Sequence, residues 1–343
     1  MRKLYLAAEV NMYSGLEAII RTIRGAFISE IPVLAYHRIM DVKEDYPFDV
    51  DLVSATPDMF KKQMEFIKKN FNPITMQQFI ASLDGGEKLP KRPVLVTFDD
   101  GFKDNYSIAY PILRELDIPA TIFVATDFIS SDETIWFDKL AFFFNRIDAS
   151  EIKIPKLNLT VNIENSMDAR RDCYTRVIEK LKLVDNSLRL LVLEELYAQY
   201  GDVYKTRTDE ESALSEAMTW TDLKEMSENG ISIGSHSVTH PILSMLNPNE
   251  LSYEIDESKK MLENQLAKPI DSIAYPVGQY ESYTKEVVST IKNSGYIAAF
   301  SYVPGISKRK SLEHYSIKRL HVDLDNTLAM FKSKISLPEI FNE

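Results

Sequence analysis

The sequence predicts an α/β fold, an irregular (β/α) barrel of about seven mostly parallel strands with a helical insertion. Three observations point to it. Apolar runs of strand length recur along the chain, and helical patterns separate them. Several runs are unbroken rather than alternating, as parallel strands buried on both faces require. The adjacent acids Asp99-Asp100 and the pair His236 and His240 follow directly on such runs, where barrels of this kind carry their chemistry.

Residues 1–30 form an N-terminal helical segment. Met1-Arg2-Lys3 is basic, and the apolar run Leu4-Tyr5-Leu6-Ala7-Ala8 is cut by Glu9 and Asn11 before it reaches secretory length, so a cytoplasmic location is expected. From Tyr13 to Ile28, Leu16, Ile19, Ile20, Ile23 and Phe27 fall at helical spacing with Arg21 and Arg24 opposite. That pattern fits a helix packed on the barrel, with peripheral membrane contact as the alternative.

The barrel is expected over 31–325. Its strands are placed at 32–36, 93–98, 120–125, 231–235, 272–275, 297–302 and 315–322. Helices are placed at 58–70, behind the cap Thr56-Pro57, and at Thr75-Met76-Gln77-Gln78, a capping box. Others are placed at 105–116, 220–229 and 284–294. A further one starts at Asn247-Pro248-Asn249-Glu250 and runs to about Leu266. The insertion, about 140–215, reads as a polar β-like piece at 153–163 and helices at 167–183 and 187–200. Residues 326–343 form a C-terminal helix or tail.

Composition narrows the function. The 343 residues carry 40 Lys and Arg against 51 Asp and Glu, a net charge of −11. That balance disfavours nucleic acid as a partner. The single cysteine, Cys173, excludes an intrachain disulfide and cysteine-rich zinc sites; it lies in a charged helix and reads as inert. No apolar run reaches the roughly 18 residues of a membrane-spanning helix.

The chemistry concentrates in two segments. Val94-Leu95-Val96-Thr97-Phe98-Asp99-Asp100-Gly101 runs a buried strand into two adjacent carboxylates. Neighbouring strand residues point to opposite sides, so one carboxylate could ligate a metal while the other stays free as a base. A plain turn or helix cap is the alternative. In Ser235-His236-Ser237-Val238-Thr239-His240 a strand ends in two of the five histidines, four apart, a spacing that can chelate one ion. Asp100, His236 and His240 would make a two-His, one-carboxylate group. Such a group suits zinc or another divalent transition metal, Co2+, Ni2+ or Mn2+, and the residues themselves do not choose between them.

Thr97-Phe98-Asp99-Asp100-Gly101 resembles the first motif of the polysaccharide deacetylases, the NodB-homology family or carbohydrate esterase family four. His236-Ser237-Val238-Thr239-His240 resembles the second, and Tyr36-His37-Arg38 resembles a segment that opens many members. The resemblance implies a metal-dependent hydrolase that removes N-acetyl groups from an amino sugar in a polysaccharide, oligosaccharide or glycan precursor. It implies Asp100, His236 and His240 as metal ligands and Asp99 as catalytic base. Ala274-Tyr275-Pro276-Val277-Gly278 resembles the third motif, which places Tyr275 and Val277 at the substrate, with the Val277 N–H as an oxyanion donor. The family's arginine there is Ala274, and Arg319 is the candidate to replace it in space. No fourth motif follows Gly295. Leu320-His321 resembles the fifth, which implies His321 as general acid.

His37 is open to substrate contact, support of the site, or a purely structural role. Asp104 reads as a helix-start residue, and Trp136 and Phe137 as core rather than sugar-stacking rings. Two other functions stay open: a carbohydrate-binding barrel that has lost turnover, and a metal-dependent amidase acting on non-sugar C–N bonds.

Overall fold

The computed structural model describes residues 2–13, 15, 18, 20, 30–131, 133–308 and 312–341. Seven parallel strands form a closed ring. They are β1 (Val33–Tyr36), β2 (Pro93–Phe98), β3 (Ala120–Val124) and β4 (Ile231–Ser235), then β5 (Ser272–Ala274), β6 (Ala298–Pro304) and β7 (Ile317–His321). Each strand pairs with the next in the chain, and β7 returns to β1. Asn72–Pro73 adds a short pairing at the start of β2.

The unbroken apolar runs have a direct explanation. In β2, Val94, Val96 and Phe98 face the outer helices, in one core with Phe60, Ile67 and Leu113. Leu95 points inward and meets Val33, Phe123, Phe300 and Ile317 from other strands. The barrel interior is therefore filled by side chains at its N-terminal end. The inner layer above is polar and includes Thr97 and Arg319.

The helices outside the ring begin where their caps indicate. Thr56 caps Pro57–Asn70, Thr75 and Gln78 form the capping box of Met76–Ala81, and Asn247 with Glu250 opens Pro248–Leu266. The helix expected over 105–116 departs from regularity. Asn105–Ala109 is π-helical and Tyr110–Glu115 is α-helical. Pro111 has no N–H to give, and the Tyr110 N–H reaches back to the Asn105 carbonyl.

Between β3 and β4 lie Trp136–Arg146, Met167–Leu181 and Asn186–Tyr200, which share a hydrophobic cluster of their own. The single β-like piece expected at 153–163 is instead an antiparallel hairpin, Glu151–Ile154 with Leu159–Asn162. Asn158 turns it in the left-handed region at φ 48°. At the N-terminus, Arg2–Tyr13 is helical, and its Ala8 packs with Ala329, Met330 and Phe341. Of the helix expected over 13–28, only Tyr13, Gly15, Ala18 and Ile20 belong to the described residues.

Candidate active site

β2 delivers Asp99 to the C-terminal rim, where its N–H donates to the Tyr36 carbonyl at 3.0 Å. Asp100 and Gly101 follow with φ of 75° and 100°, and this left-handed turn separates the two carboxylates. The Asp99 carboxylate receives both arms of the Arg319 guanidinium, Nη1 to Oδ1 and Nη2 to Oδ2, each at 2.7 Å. Arg319 is fully buried on β7, and its Nε donates to the Ser301 carbonyl at 2.8 Å. Burial alone would raise the Asp99 carboxyl; the Arg319 guanidinium, with His236, holds it below the usual carboxylate range. Asp99 is therefore held ionised and in a fixed orientation. Arg319 does not border the cavity; it stands behind Asp99, which does.

Asp100 faces the second motif. Its Oδ1 lies 3.4 Å from Nε2 of both His236 and His240, and candidate ligand atoms of the three residues all fall within 4.8 Å of one another. All three side chains are buried, and neither Asp100 oxygen has a hydrogen-bond partner among the described residues. Burial would raise the Asp100 carboxyl, but His236 and His240 hold it well below its ordinary value. A buried carboxylate left bare beside two imidazoles is costly in isolation and is satisfied by a cation. The donor set thus fits a divalent transition metal. His236 Nδ1 lies 2.9 Å from the Ala274 carbonyl, which fixes the ring with Nε2 toward Asp100.

The third motif sits on the loop after β5. Val277, at φ 63°, lines the cavity, and among the described residues nothing accepts from its N–H. Gly278 lets this loop approach β6: an added Cβ would stand 2.5 Å from the Tyr302 nitrogen. Tyr275 also borders the cavity, but its hydroxyl donates to the Tyr315 carbonyl at 2.7 Å and its ring stacks on Tyr283. It is a wall, with no free donor for an oxyanion.

His321 is not where a general acid is needed. Its ring stacks face to face on Tyr302, with centroids 3.5 Å apart, and Tyr302 is the ring that borders the cavity. Burial, reinforced by Arg319, pushes the His321 imidazole down to about 3, so it carries no proton to give near neutral pH. Besides His236 and His240, the imidazole that lines the cavity is His37, at the end of β1, with Nε2 3.9 Å from Asp99 Oδ2.

Asp104 stands at the start of the helix, as expected. It makes no cap bond; it accepts from Arg38 Nε at 2.9 Å and from the Ile39 N–H at 2.8 Å, tying the His37 strand end to the Asp99 loop. Trp136 and Phe137 pack as core residues do and also line the cavity. Phe137 meets the His240 ring edge-on, and Trp136 Nε1 donates to the His240 carbonyl.

The cavity measures about 270 Å³. Its outer wall comes from residues the sequence did not single out. Asp49 and Asp51 follow β1, while Tyr174, Glu179 and Lys182 come from the inserted segment. The Tyr174 hydroxyl donates to Asp49 at 2.6 Å. These positions lie more than a hundred residues apart, and no local pattern links them.

The sequence profile of the polysaccharide deacetylases matches residues 86–153 and 168–297, more than half of the chain. Asp99, Asp100, His236, His240 and Val277 fall inside that match; His37, Arg319 and His321 fall outside it. A Bacillus subtilis (strain 168) protein, YxkH, whose name places it among polysaccharide deacetylases, is 22% identical over 295 residues. The alignment covers 86% of this chain and 72% of that protein. A Staphylococcus epidermidis poly-beta-1,6-N-acetyl-D-glucosamine N-deacetylase is 34% identical over 107 residues, which span only 29% of this chain and 37% of that enzyme. Among solved structures, the Streptococcus pyogenes deacetylase PplD in complex with acetate has a similar fold, with a TM-score of 0.57 and 20% identity over 87% of this chain and 94% of that one. IcaB from Ammonifex degensii has a TM-score of 0.56 and 16% identity over 90% and 96%. With its barrel, its strand-end acids and histidines and the profile match in agreement, this chain belongs to the polysaccharide deacetylase family, hydrolases that act on N-acetylated sugars.

Proposed function

We propose that this protein hydrolyses the N-acetyl amide of an amino sugar in a polysaccharide, oligosaccharide or glycan precursor, with a divalent metal, zinc by preference, held by Asp100, His236 and His240. One observation carries the reading. At a single strand end, an ionised carboxylate clamped by arginine stands next to a second carboxylate whose oxygens are bare and which faces two imidazoles.

When bound, such an ion supplies Lewis-acid polarisation of the acetyl carbonyl and lowers the pKa of a water. The chain's own residues do the rest. Asp99 takes the proton of the attacking water; the Arg319 fork leaves lone pairs free on both of its oxygens. The Val277 N–H, which has no acceptor among the described residues, is the backbone donor available to the developing oxyanion. His37, on the cavity wall beside Asp99, gives the proton that turns the amide nitrogen into a leaving amine. The guanidinium of Arg319 does for Asp99 what the absent arginine at Ala274 would do, which favours turnover over a degenerate, binding-only barrel.

Poly-β-1,6-N-acetylglucosamine is the first substrate to try, because the relative with the highest identity cited above acts on it. We expect the purified protein to release acetate from its oligomers, to stop when treated with a chelator and to recover on addition of Zn2+. Absence of acetate release from β-1,6- and β-1,4-linked N-acetylglucosamine oligomers, with metal supplied, would overturn the reading.

A further inference from the structure

We propose that Glu254 is the positioning residue that sets His240 in the metal-binding group. The inference rests on the proposed metal reading and concerns how the second motif is held.

The two histidines are oriented by different means. His236 has a partner on its ring, the Ala274 carbonyl at Nδ1. His240 has none: its Nδ1 is buried and unpartnered, and its ring rests edge-on against Phe137. Its direction must come from its backbone. That backbone is unusual, because Ser237 and His240 both lie in the left-handed region, at φ 67° and 56°. Non-glycine residues keep such conformations only where surrounding contacts over-determine them.

Several contacts hold this turn: the His240 N–H donates to Ser237 Oγ at 3.1 Å, its carbonyl accepts from Trp136 Nε1, and the Ser237 and Val238 carbonyls accept from the Thr126 and Asp127 N–H groups. The two residues between the left-handed pair are held by one side chain. Glu254, buried on the helix Pro248–Leu266, accepts from the Val238 N–H at 2.7 Å and the Thr239 N–H at 2.9 Å through Oε2. Its Oε1 accepts from the Thr239 hydroxyl at 2.6 Å. One turn further along the same helix, Ser258 Oγ lies 2.8 Å from Ser235 Oγ, which accepts from the Ser237 N–H. The helix thus grips the His-x-x-x-His turn at its start and its middle. Glu254 holds the two residues between the left-handed pair, so a carboxylate 14 positions beyond His240 takes the part that a ring partner takes for His236.

The test compares Glu254→Ala, which removes both acceptors, with Glu254→Gln, which keeps one oxygen for the backbone N–H groups. Zinc affinity is measured by competition with a chromogenic chelator. Second-layer substitutions of this kind typically cost about 10- to 100-fold in metal affinity. We expect that loss in Glu254→Ala, recovery to within about fivefold of the native value in Glu254→Gln, and near-native kcat for Glu254→Ala at saturating zinc. Amide hydrogen exchange on the metal-free proteins reads the anchor without any metal: Val238 and Thr239 should exchange much faster in Glu254→Ala, with β3 and β4 amides unchanged. Unaltered exchange at Val238 and Thr239 would overturn the proposal, as would native zinc affinity in Glu254→Ala. Faster exchange in a chain whose native form binds no zinc would uphold the anchor and remove the metal reading alone.

Discussion

Asp99 and Asp100 are chemically alike, adjacent and both buried, yet their surroundings assign them opposite tasks. The guanidinium fork on Asp99 fixes it as an oriented carboxylate, suited to the base proposed above, while Asp100 faces imidazoles with its oxygens bare. The pair itself was legible only beside the two histidines, because two acids after an apolar run also suit a plain turn or a helix cap. The partner of Asp99 was legible only as a candidate: Arg319 is 220 residues away, and nothing local shows that β7 turns it inward. Removing one half of a buried ion pair leaves the other uncompensated, at about 3–5 kcal/mol. Arg319→Met should therefore lower unfolding stability by that order, read from urea denaturation, and should depress kcat with it. The histidines give a sharper contrast. His37→Ala should reduce kcat on an N-acetyl substrate by about 10²–10⁴-fold, the range for a lost general acid. It should cost much less on an activated acetate ester, whose leaving group needs no proton. His321→Phe should keep the stack on Tyr302 and stay within a few fold of native on both substrates.

At the scale of the elements, the strands and helices were readable because period, caps and prolines act locally. The loops that bear the site were not. Of the nine described non-glycine residues with positive φ, four are Asp100, Ser237, His240 and Val277. Propensity offers no warning of a left-handed valine or histidine, since tertiary contacts impose it. Aromatic character in the inserted segment was equally ambiguous, as Trp136 and Phe137 serve both core and cavity wall. The third-motif loop provides the test at this scale. Gly278→Ala places a Cβ 2.5 Å from the Tyr302 nitrogen, a contact with backbone that cannot rotate away. We expect a loss of about 1–3 kcal/mol in stability, the usual cost of overpacking, measured by thermal denaturation. We also expect a fall in kcat larger than the rise in KM, because Val277 moves with the loop.

For the molecule as a whole, ring closure was predictable from seven buried runs in alternation with helices, and the packing of the inserted segment over the barrel mouth was not. That segment brings in Asp138, fully buried with Oδ2 unpartnered and Oδ1 accepting weakly from the Asp49 N–H. Burial, only partly offset by Arg38, pushes its carboxyl up from 3.8 to about 7. The unfolded chain releases this proton near 3.8 and the folded one keeps it to about 7, so the folded state binds more protons across that window. Its contribution to stability is therefore complete below 3.8 and declines as pH rises toward 7. Asp138→Asn cannot ionise, and its Tm should lack the decline that the native protein shows between pH 4 and 7. Parallel Tm curves for the two proteins would contradict that assignment.

The proposed hydrolysis depends on one cation being gripped by residues brought together from β2 and the loop after β4. Its most direct test is the metal content of the purified chain and its variants, by elemental analysis after loading with Zn2+ and desalting. The native protein and Asp99→Asn should each retain one ion per chain, with Asp99→Asn inactive, whereas Asp100→Ala and His240→Ala should retain none. A full equivalent of zinc in Asp100→Ala or His240→Ala, or none in the native protein, would contradict it.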